Sequence, residues 1–248
     1  MNVLVCVKRV PITGGKIVLT DDERTIETRH LGFTISPHEE CGVEEAVRLV
    51  EQDGGEVCVL ALGPPEAEEQ IRECLAIGAP RGVFLATDGE EWDAQATAAA
   101  IAAEAGDFDL IVFGNESADS GGFQVGIRVA HALGRPVVTG LKGLSVEDGR
   151  ARCEQEVAGG RDVYVVPLPA VVTVLEGINL PRYPSVPAKL RARQKPVETR
   201  TPERPEARLE RLRLVVPEGQ GKQAEILGQG PDAAPAVVEV MRELGVAR

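Results

Sequence analysis

The chain has 248 residues, 43% hydrophobic and 27% charged, enough for one large domain or one domain with appendages, and no apolar run approaches the ~18 residues of a membrane span. Its net charge of -12 excludes a nucleic-acid binder, which needs a basic footprint to displace counterions, and an aromatic content of 3% leaves no stacking platform for bases. Five scattered cysteines (Cys6, Cys41, Cys58, Cys74, Cys153) without a CxxC pair, and three histidines (His30, His38, His131) without metal spacing, exclude a disulfide framework and a closed zinc site.

The opening Met1-Asn2-Val3-Leu4-Val5-Cys6-Val7-Lys8 has too short an apolar run for a signal-peptide core and no basic residue before it, so the expected location is cytoplasmic. Residues 3–7 form the first run of strand length, and residues 16–19 and 25–28, around Asp21-Asp22-Glu23, predict a hairpin. Residues 38–51 carry Val43, Ala46, Val47 and Val50 at helical spacing behind the turn pair Ser36-Pro37. A strand over 57–61 leads to a helix over 65–77, which starts with Pro65 and acidic residues and stops before Gly78. A strand over 83–86, an Ala-rich helix over 93–105, a strand over 110–113 and a helix over 123–133 follow, the last closing on Gly134. Residues 150–157 and 162–166 flank Gly159-Gly160 as a second hairpin, and residues 169–174 form a last buried strand. Continuously apolar strands alternating with helices predict an α/β fold, a mainly parallel doubly wound sheet with hairpin additions. Ligands in such folds sit outside the carboxyl ends of the strands. Prolines recur over 177–205 among Arg and Lys, so that segment is expected to be extended and exposed. Residues 232–246 return to a helix with Val237, Val238, Val240, Met241 and Leu244 on one stripe, suited to docking on its own core or on another chain.

Three stretches carry candidate chemistry. The first is Phe113-Gly114-Asn115-Glu116-Ser117-Ala118-Asp119-Ser120-Gly121-Gly122-Phe123-Gln124-Val125-Gly126, which runs from a buried strand through small residues into a helix. Glycines let backbone amides approach an anion and a helix start leaves donors unpaired, so the arrangement suits a phosphate; it equally suits a tight turn capped by Asp119 or Ser120. It matches neither GxxxxGK[ST] nor GxGxxG and holds no lysine, which favours a monophosphate or a backbone-gripped pyrophosphate. The second, Leu31 through Ser36-Pro37-His38-Glu39-Glu40, leads into the first helix, where it could cover an adenine or ribose; Ser36 as N-cap and Pro37 as first helical residue account for it without a ligand. His38 and Glu39 do not make an acid/base pair, because adjacent helical residues face apart. No GxSxG elbow occurs and Cys6 lies in a predicted buried strand, so no catalytic residue is assigned. The third, Asn179 to Pro196, is basic and proline-stiffened, with Tyr183, Val186 and Leu190 among cations. It suits steering and docking of an acidic partner, or packing along its own domain.

Together with Leu168-Pro169-Ala170-Val171-Val172-Thr173-Val174, these stretches resemble the β (small) subunit of electron-transfer flavoprotein over nearly the whole chain. The markers are Val3-Leu4-Val5-Cys6-Val7-Lys8-Arg9-Val10, the Val43-Glu44-Glu45-Ala46-Val47-Arg48-Leu49 helix, residues 168–173 and Pro181-Arg182-Tyr183-Pro184. The resemblance implies an adenine-nucleotide-binding, stress-protein-like domain over 1–176, a recognition loop and linker over 177–205, and a C-terminal arm over 206–248 that docks on the partner subunit. It implies a heterodimer with a larger α subunit that holds most of an FAD, with AMP in the β subunit. The electrons would run from acyl-CoA or related flavin dehydrogenases to a quinone oxidoreductase.

Carried over by position, the AMP pocket comprises Cys6, Ser36, Pro37, His38, Glu39, Leu62 and Gly114 to Val125, while Tyr183, Val186, Leu190 and Arg191 belong to partner docking and Glu156 to a carboxylate facing the mobile flavin domain. Ser36 stands where many members have Asn, Val186 where Leu is usual, and Ala158 where Asp precedes the paired glycines. Gln124-Val125-Gly126 is similar to the electron-bifurcating form, in which a second FAD replaces AMP and NADH is oxidised. A stand-alone adenine-nucleotide module and an ATP-pyrophosphate-cleaving enzyme are the readings from other classes. Val10 to Lys16 lacks the SGGxDS run of the latter.

Overall fold

Successive side chains of a strand point to opposite faces, and in β1 (Asn2–Val7) this sorts the core into two layers. Val3, Val5 and Val7 join an apolar cluster with Val43 and Val47 of α1 (Pro37–Asp53) and Ile71 and Leu75 of α2 (Glu68–Ile77). Leu4 and Cys6 join a second cluster with Ala98 and Ile101 of α3 (Ala94–Glu104) and Val129 and Ala130 of α4 (Val125–Leu133). The computed structural model describes residues 1–14, 17–206, 209–216 and 225–247. Within them, β1 is one strand of a nine-stranded sheet with β2 (Glu56–Gly63), β3 (Arg81–Ala86), β4 (Leu110–Gly114), β5 (Val137–Glu147), β6 (Arg150–Val157), β7 (Gly160–Pro167), β8 (Ala170–Val174) and β9 (Val197–Arg200). The order is β9-β3-β2-β1-β4-β8-β5-β6-β7, parallel from β9 to β5 and antiparallel through β6 and β7. The α/β class and the mainly parallel, doubly wound sheet expected from the sequence are present, and so is the hairpin around Gly159-Gly160.

Helix ends follow local chemistry. Asp93 caps α3 by accepting from the Ala96 amide at 2.7 Å, and Gly134 ends α4 in the left-handed region. Gly42 lets α1 lie close on the sheet, since a Cβ there would stand 3.3 Å from Val112 Cγ1.

Four expectations change. Helix α4 begins at Val125 rather than 123, because Phe123 has φ +54°, which no right-handed helix accommodates. The hairpin expected over 16–28 is reduced to a bridge between Leu19 and Ile26, with Lys16 outside the described residues. Strand β5 was not anticipated: Gly140, at φ +65°, and Gly143 interrupt its apolar alternation, and the register with its neighbours shifts beside them. Finally, the stretch expected to be extended after residue 176 holds α5 (Val186–Ala192), started by Ser185 and Pro187, and then β9, which adds an edge strand beside β3. Arg72 donates to the carbonyls of Ala192, Arg193 and Lys195, and Lys195 donates to those of Leu75 and Ala79, which fastens this stretch to α2.

In α6 (Ala234–Glu243), by contrast, no residue is buried, and Val237, Val238, Met241 and Leu244 are exposed, so of the two surfaces open to its apolar stripe its own core is not the one used. No helix among the described residues is long and apolar enough to cross a membrane.

Candidate functional site

After β1 the chain adds β2 and β3 on one side and then returns to place β4 on the other, so loops leave β1 and β4 in opposite directions. A crevice at such a reversal is where ligands of open α/β sheets sit. Here it is a cleft of about 410 Å³, within the range of small-ligand sites. Cys6, Val7, Leu62 and Phe113 lie at its strand ends. One wall is Gly114 to Ser117 with Ser120 and Gly122 to Gly126, and the other is Thr87, Gly89 to Ala94 and Thr97, with Leu209 from the segment beyond the sheet.

The first wall is held from behind. Gly114 must be glycine, because a Cβ would lie 2.7 Å from Glu39 Cγ. The Asn115 side-chain oxygen accepts from Thr173 Oγ1 at 2.7 Å, and that hydroxyl accepts from the Gly140 amide at 2.9 Å, so β4, β8 and β5 are stitched beneath the loop. The Ser117 and Ser120 hydroxyls meet at 2.9 Å. Lys8 Nζ pairs with Asp119 at 2.6 Å. Burial alone would raise the Asp119 carboxyl, but Lys8, the Ser117 hydroxyl and the Ser120 amide hold it below its usual range. Left-handed backbone at Gly121 (φ +53°) and Phe123 (φ +54°) then turns the chain so that the first turn of α4, whose amides have no intrahelical acceptor, opens at the cleft. The Gln124 side-chain oxygen accepts from Arg128 Nη2 at 2.9 Å and Nε at 3.1 Å.

Behind the cleft, Ser36 and Glu39 form the start of α1. The buried Glu39 carboxylate accepts from the Ser36 amide at 3.0 Å and from the Lys8 amide at 3.1 Å. Burial nevertheless dominates and pushes the Glu39 carboxyl up to about 8, against those two amides and the Lys8 charge. The Ser36 hydroxyl donates to the Glu116 carbonyl at 3.1 Å. His38 turns the other way: its Nδ1 accepts from the Glu176 amide at 2.7 Å and its Nε2 lies 3.6 Å from Glu116. The two neighbours do face apart.

Cys6, Glu39, Leu62, Gly114, Asn115, Glu116, Ser117, Ser120, Gly122, Phe123, Gln124 and Val125 line the cleft together. Ser36, Pro37, His38, Ala118, Asp119 and Gly121 do not line it; Ser36, His38 and Asp119 brace the wall. Burial raises the Cys6 thiol well above its usual range, so it contributes a surface rather than a nucleophile. No role is expected of the opposite wall from the residues in order. Its Trp92 is buried, and the indole Nε1 and the Arg9 Nε are donors without an acceptor among the described residues. The usable signal was Trp92 itself, the one tryptophan of the chain. All five cysteines are buried free thiols, and no group of His, Cys, Asp and Glu among the described residues could hold a metal.

Residues 24–205 match the electron transfer flavoprotein domain. The chain is 35% identical over 245 residues to the electron transfer flavoprotein subunit beta of Syntrophomonas wolfei, covering 98% of this chain and 96% of that one. The chain belongs to the electron transfer flavoprotein family. It is also similar to the electron transfer flavoprotein subunit beta of Bacillus subtilis, at 34% identity with 80% and 78% of the two chains covered. With the caffeyl-CoA reductase-Etf complex subunit CarD of Acetobacterium woodii it shares 32% identity, with 79% and 77% covered.

This flavoprotein-family chain has a second distinctive surface beyond residue 176. Arg182 bonds Glu44 through Nε at 2.9 Å and Nη2 at 3.1 Å, and Glu51 through Nη1 at 2.7 Å and Nη2 at 2.9 Å. Asn179 donates to the Cys41 carbonyl at 2.9 Å and to Glu45 at 2.8 Å. The backbone is thus anchored while the side chains are offered outward: Tyr183 is 89% exposed, and Leu180, Val186 and Leu190 are exposed beside it. Lys189 lies over the Tyr183 ring at 4.9 Å. Glu156 is elsewhere, on β6, where it lies 3.8 Å from Arg161.

Proposed function

We propose that the chain is the small subunit of a heterodimeric electron carrier and that its cleft holds AMP as a structural nucleotide. The observation that carries this reading is the turn at Gly121 and Phe123, which opens the amides of α4 onto a cleft at the reversal of the sheet. The back of the cleft suits a nucleotide, which is rich in acceptors: the Glu39 and Asn115 oxygens there already accept from donors of the chain itself. Glu39 keeps its proton below about pH 8, so it does not repel a phosphate at neutral pH.

The partner is a larger α subunit that carries most of an FAD, and this chain closes one wall of that site with Glu156 on its side. When bound, the FAD accepts electrons from acyl-CoA or related flavin dehydrogenases and yields them to a quinone oxidoreductase. This chain supplies no reacting group of its own. Two exposed apolar surfaces support assembly: Val163 and Val165 on one face of the β6–β7 hairpin, and the stripe of α6, which we assign to the partner subunit. The anchored loop with Tyr183, Val186, Leu190 and Arg191 is assigned to dehydrogenases, since a pre-ordered apolar patch loses little entropy on docking and its cations suit an acidic partner.

A second reading places FAD in the β cleft of a bifurcating carrier that oxidises NADH. It is favoured by the length of the cleft, which reaches past the 114–126 loop to Thr87 and Trp92, and by the similarity to a subunit of a caffeyl-CoA reductase-Etf complex. Co-purification with the α subunit, denaturation and mass spectrometry of the released nucleotides decide between them. AMP with one FAD supports the first reading, two FAD without AMP selects the second, and a stable chain that releases neither refutes both.

A further inference from the structure

Eight aromatic residues are spread over the chain, five Phe, two Tyr and one Trp, and three of them, Trp92, Phe113 and Phe123, line the one cleft. Two have ordinary reasons to be there. Phe113 and Trp92 are buried among the aliphatic residues of the α3/α4 layer, and Gly126 packs so close that a Cβ would come within 3.1 Å of the Phe113 ring. Phe123 has no such reason. The residue is 52% exposed at the cleft, against 6% for Phe113 and 9% for Trp92, so about half of it is left for a ligand to cover, and its backbone sits at φ +54°, a conformation that disfavours every residue with a Cβ and bulky ones most.

Glycine would relieve that strain, and glycine already precedes it twice, at Gly121, itself left-handed, and at Gly122, where nothing lies within 4 Å of an added Cβ. An exposed aromatic ring held in an unfavourable backbone conformation adds little to the stability of the free chain. Strain of this kind persists where a ligand gains from it. Phe123 lines the same cleft as Phe113 and Trp92, so a flat heteroaromatic group held there finds apolar ring surface in its lining.

We infer that Phe123 is a ligand-covering residue: its ring lies against the heterocycle of the nucleotide in the cleft and adds to the affinity of the site for it. This inference rests on the nucleotide reading given above and assigns that site an affinity-determining residue. Stacking of a base on an aromatic side chain changes affinity by roughly tenfold or more.

The test uses the full chain, with AMP and FAD as probes and Trp92, the single tryptophan, as fluorescent reporter of occupancy. Phe123→Gly is expected to raise the melting temperature of the free chain by about 2–4 °C through relief of the left-handed strain. The same variant is expected to weaken binding of whichever probe the wild type holds by about tenfold. Phe123→Tyr, which keeps the ring, is expected to bind as the wild type does. A Phe123→Gly chain that binds the probe with unchanged affinity overturns the inference and leaves the nucleotide reading standing. A Phe123→Gly chain that loses stability together with affinity overturns it as well, because the ring would then be packing the loop. A wild-type chain that binds neither AMP nor FAD refutes the nucleotide reading and this inference with it.

Discussion

Arg182→Ala tests whether the exposed patch around Tyr183 is held by buried charge. Glu44, on α1, is 1% exposed, and Arg182 bonds both of its oxygens through the guanidinium, with the Arg182 amide adding a bond at 3.1 Å. Burial alone would raise the Glu44 carboxyl; Arg182 and Arg48 hold it below its usual range. Removing one partner of a buried pair costs about 3–5 kcal/mol, because the other charge is left without compensation. Three features reduce that figure here. Arg48 still reaches Glu44 at 2.7 Å, the residue 182 amide stays in place, and more than a third of the Arg182 side chain is exposed, so solvent screens it. The contacts to Glu51 lie at the surface and add less than about 1 kcal/mol. The expected loss is therefore about 2 kcal/mol, read by urea denaturation.

Hydrogen exchange should show residues 179–185 opening before the sheet does. A cycle with Glu44→Gln should give a coupling of about 1 kcal/mol or more. Since Glu44 is held ionised in the fold, its contribution is present above its unfolded pKa of about 4.3 and is lost as pH falls through the lower folded value, so the difference between wild type and variant shrinks in acid. A loss below about 0.5 kcal/mol at neutral pH, with exchange over 179–185 unchanged, would refute the anchoring argument.

Further outcomes follow from the cleft and the tail. Glu39 holds its proton in the fold up to about 8 and releases it near 4.3 when unfolded, so the native chain binds the extra proton between these values and stability falls as pH rises through that window; Glu39→Gln should flatten this slope in pH-dependent denaturation. Between pH 7 and 9, AMP affinity should likewise fall in the wild type and not in Glu39→Gln. Gly114→Ala should destabilise by about 1–3 kcal/mol, since its Cβ would meet Glu39 on two atoms, Cγ at 2.7 Å and the amide nitrogen at 3.1 Å, and calorimetry should show weaker AMP binding. Deleting residues 225–247 should leave the melting temperature of the isolated chain within about 2 °C, because α6 buries nothing against the body, while abolishing or weakening capture of the α subunit.

Local chemistry made much of this protein legible from its residues in order. Apolar runs bounded by Gly, Pro and Asp marked β1, β2, β3, β4 and β8, and Ser36-Pro37, Asp93 and Gly134 marked helix ends, because caps and breakers act within a few residues. The small-residue loop 114–126 was visible for the same reason, and family resemblance extended over the chain because these signals recur in a fixed order. Long-range placement decided the rest. That Glu39 reaches Lys8 and that His38 reaches Glu176 depends on which strands are neighbours, and so does the use of Trp92 as the far wall of the cleft. Strand β9 could not be read from its four residues, since pairing with β3 and the clamp from Arg72 supply what its composition lacks. The left-handed backbone at Phe123 was likewise invisible: a side chain states a preference for φ, and only the closure of the turn between β4 and α4 overrode it. The sequence by itself determined the fold class and the location of the small-residue turn, both set by local preference. The tertiary structure alone decided which side chains meet in the cleft, because burial and charge pairing act through space rather than along the chain.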